Sequence, residues 1–69
     1  MDNESVTVNG EVRDVAPGTN VQGLLVLLGL EPTKIAVERN LEIVPKSQYE
    51  VTILSGGDRI EIVQFVGGG

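Results

Sequence analysis

The sequence predicts an α+β domain in which one main helix packs on one face of a mixed sheet of four to five strands. Three observations carry that prediction. An Asn-Gly dipeptide, Asn9-Gly10, interrupts a run of alternating valines; a single apolar stripe at helical spacing runs from Val21 to Leu28; and a strand-like stretch, Arg59 to Val66, leads into Gly67-Gly68-Gly69. At 69 residues the chain forms one domain, and so small a domain needs a compact, nearly continuous core. The apolar content of 41% is almost wholly Val, Ile and Leu, with Tyr49 and Phe65 as the aromatics, which supplies enough burial to offset chain entropy.

Val6 and Val8 precede Asn9-Gly10 and Val12 follows it. A two-residue hairpin turn needs positive φ at both central positions, which Asn-Gly tolerates, so the chain opens with a β-hairpin. A turn is the only role this dipeptide needs.

Pro17-Gly18-Thr19-Asn20 then breaks the strand. Thr19 or Asn20 can accept a hydrogen bond from the free N–H groups of a helix that starts near Val21. Val21, Leu24, Leu25 and Leu28 fall at i, i+3, i+4 and i+7, and Gly29 is placed to stop the helix in the left-handed conformation. Val26 and Leu27 widen the stripe, which predicts a helix more buried than a surface helix. Gly23 inside it costs about 1 kcal/mol relative to Ala, so close packing or an irregular first turn is expected there.

Beyond the Glu31-Pro32 loop, Ile35-Ala36-Val37 reads as a third strand, and Arg39-Asn40 as a turn into Leu41-Glu42-Ile43-Val44, which Pro45 ends. Lys46 to Tyr49 suits a single helical turn, Val51 to Leu54 a further short strand, and Ser55-Gly56-Gly57-Asp58 a tight turn before the final strand. One apolar helix must cover one face of the sheet, and a right-handed return that places the last strand beside the first completes it. That order is the β-grasp, or ubiquitin-like, architecture. A ferredoxin-like domain would need a second helix, and a small open barrel would not need this one. Residues 1–66 are read as the β-grasp domain and residues 67–69 as a flexible glycine tail.

The chain has no Cys and no His. Their absence excludes a disulfide framework, a thiolate nucleophile, the usual zinc ligands and a Ser-His-Asp triad. An acidic, polar start, Met1-Asp2-Asn3-Glu4, is the reverse of a secretory signal, and with no disulfides the expectation is a cytoplasmic protein. Ten acidic against five basic residues give a net charge of −5, which disfavours nucleic acid and membrane as partners. Asp58, Glu61, Glu38 and Glu42 are read as solvated surface carboxylates rather than acid/base groups.

The chemistry is therefore sought at the end of the chain. Residues without Cβ atoms can thread, extended, into a narrow enzyme channel where any side chain would clash. A terminal carboxylate, with a reference pKa of about 3.3 to 3.7, is an anion at neutral pH and a poor electrophile until it is activated. Adenylation by ATP would supply a leaving group, and sulfur displacing AMP would leave a thiocarboxylate. From glycine content alone, an inert tail is an equal reading.

Val8-Asn9-Gly10-Glu11, Gly18-Thr19-Asn20-Val21 ahead of Leu24-Leu25, Ile35-Ala36-Val37-Glu38-Arg39-Asn40, Ile43-Val44-Pro45, Gly57-Asp58-Arg59-Ile60-Glu61-Ile62 and the closing diglycine together resemble the ThiS-type sulfur carriers of thiamin biosynthesis. The resemblance covers almost the whole chain. It implies that Gly69 is the site of adenylation and the sulfur acceptor, and that Gly67 and Gly68 thread into the partner. It implies an E1-like adenylyltransferase that uses ATP, a sulfurtransferase or cysteine desulfurase system that supplies sulfur, and thiazole synthase as recipient. It also implies that the carrier itself binds no cofactor and is not an enzyme. Gly67 is one glycine more than the family's diglycine requires.

Alternation along the last strand puts Ile60 and Ile62 on one face and Arg59, Glu61, Val63 and Phe65 on the other. With the isoleucines toward the helix, Val63, Phe65 and Val66 are candidates for partner docking, since interface cores favour aromatic side chains. Two alternatives stay open: a related carrier, such as a molybdopterin-synthase small subunit or a protein modifier, and a non-covalent β-grasp interaction domain with an inert tail.

Overall fold

A computed structural model of the chain describes residues 3–65. Strand β1 (Glu4–Val8) and strand β2 (Glu11–Val15) form the opening hairpin, followed by helix α1 (Val21–Leu28), strand β3 (Ile35–Arg39), strand β4 (Glu42–Val44) and strand β5 (Arg59–Gln64). Single 3₁₀ turns at Pro32–Lys34 and Lys46–Gln48 precede β3 and follow β4. The sheet order is β2-β1-β5-β3-β4, with β5 parallel to β1 and every other neighbour antiparallel. The last strand thus lies in the middle, beside the first. This is the ubiquitin-like β-grasp fold.

Helix α1 is eight residues long and, at that length, is marginal on its own. Packing and capping make it. Val21, Leu24 and Leu25 are buried against Val6, Val8, Val15, Ile35, Val37, Val44, Ile60 and Ile62 of the sheet, with Tyr49 and Leu54 closing the side. Asn20, in extended conformation, caps the start by accepting the Gly23 N–H at 2.7 Å. At the other end Gly29 has φ 72, its N–H donates to the Val26 carbonyl, and the Leu30 N–H donates to the Leu25 carbonyl at 2.9 Å. That pair of bonds is the Schellman closure, completed by Leu30 packing on the core.

Three expectations are corrected. Val26 and Leu27 are exposed, so the helix buries a narrow stripe; they sit on the far side, and residue type alone does not say which way a leucine points. Val51 to Leu54 is not a strand. Its polar groups go to the helix start and the residue before its cap instead: the Val21 N–H donates to the Thr52 carbonyl and the Leu54 N–H to the Thr19 carbonyl, leaving only an isolated Asn20–Ile53 bridge. The β3–β4 turn is centred on Asn40-Leu41 rather than Arg39-Asn40, and both residues take positive φ, 52 and 72. Among the described residues, no helix is long and apolar enough to cross a membrane.

Candidate functional site at the C-terminal strand

The centre of the sheet and the approach to the C-terminal glycines are the same strand. β5 pairs with β3 in five register steps, from Ile35–Gln64 to Arg39–Ile60, and with β1 in two, Thr7–Arg59 and Val8–Ile60. Ile60 and Ile62 face the helix and are buried, as alternation requires.

The opposite face is open. Val63 is 61% and Phe65 52% exposed, so these two of the three predicted docking residues lie on the open face. Val63 stands opposite Ala36 of β3, and the Phe65 N–H donates to the Lys34 carbonyl at 3.0 Å, which carries the β3–β5 pairing one step past Gln64. One step back, Glu61 and Glu38 are directly opposed, and Ile43 of β4 stands opposite Glu38 on the same face. Like charges opposite one another are unfavourable in a sheet, and neither carboxylate is in an ion pair among the described residues. The face therefore offers apolar contacts, Val63, Phe65 and Ile43, around two uncompensated negative charges, a combination suited to a partner surface that brings both apolar and basic groups. Val66, Gly67, Gly68 and Gly69, the remaining predicted site residues, lie outside the described residues.

At the start of β5, Asp58 departs from expectation. It is not solvated: its residual exposure is 6%. Its carboxylate accepts from Arg39 Nε at 2.9 Å, Asn40 Nδ2 at 3.0 Å and the Ser55 N–H at 2.8 Å. Burial alone would raise its pKa, but the Ser55 N–H, the Asn40 amide and the Arg39 guanidinium outweigh it and hold the carboxyl below the usual aspartate value. Asp58 is thus the post that fixes the 55–58 turn to the end of β3. Glu38, Glu61 and Glu42 lie where solvent reaches them.

Sequence reasoning also missed Asn9. Beyond its turn, its carboxamide bonds the main chain of Ile62 in both directions: the Ile62 N–H donates to Oδ1 at 2.7 Å, and Nδ2 donates to the Ile62 carbonyl at 3.1 Å. The usable signal was an asparagine at a left-handed turn position directly after a strand that must stop beside a longer neighbour.

With this geometry in place, the chain can be set beside known proteins. The ThiS family model matches residues 6–69. The thiazole synthase of Paramagnetospirillum magneticum is 50% identical over 64 residues, which are 93% of this chain and 20% of that protein. The chain therefore spans about a fifth of the length of that curated relative. The sulfur carrier protein ThiS of Bacillus subtilis is 49% identical over 49 residues, 71% of this chain and 74% of the relative. The crystal structure of the thiamine biosynthesis protein ThiS from Geobacter metallireducens superposes with a TM-score of 0.81 at 34% identity, covering 94% of this chain and 99% of that one. A family match through Gly69 and a fold shared over nearly all of both chains lead to one conclusion: this chain belongs to the ThiS family.

Proposed function

We propose that the chain is a sulfur carrier for thiazole formation in thiamin biosynthesis, with the α-carboxylate of Gly69 as its working group. The observation that carries this reading is the family match running through the three C-terminal glycines, on a fold whose central strand leads directly to them. A carboxylate oxygen of Gly69 attacks the α-phosphorus of ATP in an E1-like partner, releasing pyrophosphate and forming an acyl-adenylate. A persulfide of a sulfurtransferase or cysteine desulfurase system then attacks the acyl carbon and expels AMP, and a thiol of that system cleaves the acyl disulfide so formed, releasing the thiocarboxylate and leaving an ordinary disulfide behind. The resulting thiocarboxylate passes its sulfur to thiazole synthase.

In this reading the carrier supplies no acid, base or metal. It supplies an acyl carbon on a side-chain-free end and a surface, Val63 and Phe65 with Ile43, by which the partner holds the domain while Gly67 and Gly68 enter its channel.

Incubation with the adenylating enzyme, ATP and a sulfur donor tests the proposal. The expected product is a chain whose intact mass has changed by the exchange of one oxygen for sulfur at Gly69. Removal of Gly68 and Gly69 should abolish the change and leave the fold intact. An unaltered mass under conditions that charge the Bacillus subtilis carrier would overturn the reading.

A further inference from the structure

The two asparagines that sequence analysis assigned to turns occupy matching places on opposite edges of β5. β1 stops pairing at Val8, because Asn9 turns the chain away with φ 49, and Ile62 would face that edge with its N–H and carbonyl bare. A carboxamide carries the same donor and acceptor as a peptide group, so the Asn9 side chain extends the ladder by one step past the end of the strand. Its main-chain N–H adds a bond to the Ile60 carbonyl at 2.9 Å. On the other edge, β3 ends as Asn40 turns away with φ 52. The Asn40 N–H donates to the Arg59 carbonyl at 2.8 Å, the Arg59 N–H donates to Asn40 Oδ1 at 2.9 Å, and Asn40 Nδ2 reaches Asp58 Oδ1 at 3.0 Å. A turn requires only positive φ, which glycine supplies; neither turn needs a carboxamide.

We propose that Asn9 and Asn40 are positioning residues that lock the register of β5 and so fix where the strand ends, at Gln64, relative to the docked domain. The inference rests on the sulfur-carrier reading. β5 can slip only in steps of two residues if Ile60 and Ile62 are to keep facing the helix, and each such step moves the end of the strand by about 6.6 Å. Attack on ATP needs reacting atoms within about 3 to 3.5 Å, and misplacement by about 1 Å is enough to cost roughly 100-fold in rate. The two pairs that β1 makes with β5 leave the Ile62 end of that edge to Asn9.

Asn9→Gly and Asn40→Gly test the role, because each keeps the left-handed turn and removes only the carboxamide. Amide hydrogen exchange of the full chain reads the lock, and pyrophosphate exchange by the adenylating enzyme, titrated with carrier, reads its consequence. For Asn9→Gly the Ile62 amide should exchange at least about ten-fold faster, and for Asn40→Gly the Arg59 amide should do the same. Both variants should lose about 10- to 100-fold in kcat while KM stays within about two-fold, at a temperature where circular dichroism shows them folded. A kcat equal to that of the parent chain, or a raised KM at unchanged kcat, overturns the proposal. Should Asn9→Gly not fold, Asn9→Asp retains the oxygen facing the Ile62 N–H, loses the donor and sets a charged carboxylate oxygen against the Ile62 carbonyl. Its kcat should then fall several-fold at constant KM, and an unchanged kcat again overturns the role. A parent chain that the enzyme does not charge overturns the carrier reading and this role with it, whereas a charged parent beside an equally fast Asn9→Gly overturns this role alone.

Discussion

Asp58 and Arg39 meet where β5 begins and β3 ends, with Nε 2.9 Å from Oδ2, the carboxylate buried and the guanidinium about one-third exposed. Because the folded-state pKa of Asp58 is depressed, its contribution is fully present above the ordinary aspartate value, about 3.9, and is lost as pH falls through the lower folded value. Asp58→Asn should cost about 2 kcal/mol at neutral pH, mainly through hydrogen bonds made to a charge, since solvent at Arg39 weakens the ion pair itself. Urea unfolding at neutral pH and near pH 3 checks this. The gap between parent and variant should narrow in acid, and a constant gap would mean that the carboxylate charge is not what holds the turn.

Gly23→Ala should fail as a stabilising substitution. Helix propensity alone promises about 1 kcal/mol. An added Cβ would stand 3.1 Å from Asn20 Oδ1, the atom that caps this residue's own N–H, and 3.5 Å from Thr19 Cγ2. Displacing that cap costs about as much as the propensity returns, so the unfolding midpoint should stay level or fall. A rise of several degrees would show that the cap adjusts freely.

Leu41 is 82% exposed and holds φ at 72, where a Cβ meets the following carbonyl. It contributes little packing and stores backbone strain. Leu41→Gly should therefore stabilise the domain by about 0.5 to 1 kcal/mol, raising the thermal midpoint by a few degrees. Calorimetry reads the outcome directly, and a lowered midpoint would mean that the exposed leucine makes a contact worth more than the strain.

Phe65→Ala separates docking from folding. With half its surface exposed, Phe65 should contribute at most about 0.5 kcal/mol to stability. As an aromatic anchor on the open sheet face, it should weaken binding to the adenylating partner by about ten-fold or more when truncated. Titration calorimetry with the partner checks the second figure and thermal unfolding the first.

The hairpin, the helix starting near Val21 with its Gly29 stop, and the inward Ile60 and Ile62 were all legible in residue order, while the choice of Asn20 over Thr19 as the cap came from the structure. Each follows from a local rule: a two-residue turn, a 3.6-residue stripe, a two-residue alternation. The exposure of Val63 and Phe65 followed from the same alternation. What could not be read were the assignments that depend on which distant group is nearby. Val51 to Leu54 has the composition of a strand, but its backbone is claimed by the first turn of α1. Asp58 looks like any surface carboxylate until the fold brings Arg39 and Asn40, 19 and 18 residues away, to it.

Residue order alone was sufficient for the class of fold, because turn residues and apolar period act within a few positions, whereas the chemistry proposed at the glycine end came from the resemblance to the ThiS-type carriers. Only the assembled sheet decided that Asn9 would serve Ile62, 53 residues distant, and that Asn40 would serve Arg59. The physical reason is that a strand edge left bare by its neighbour's turn exists only once the strands are side by side, and the need for a side-chain amide arises there.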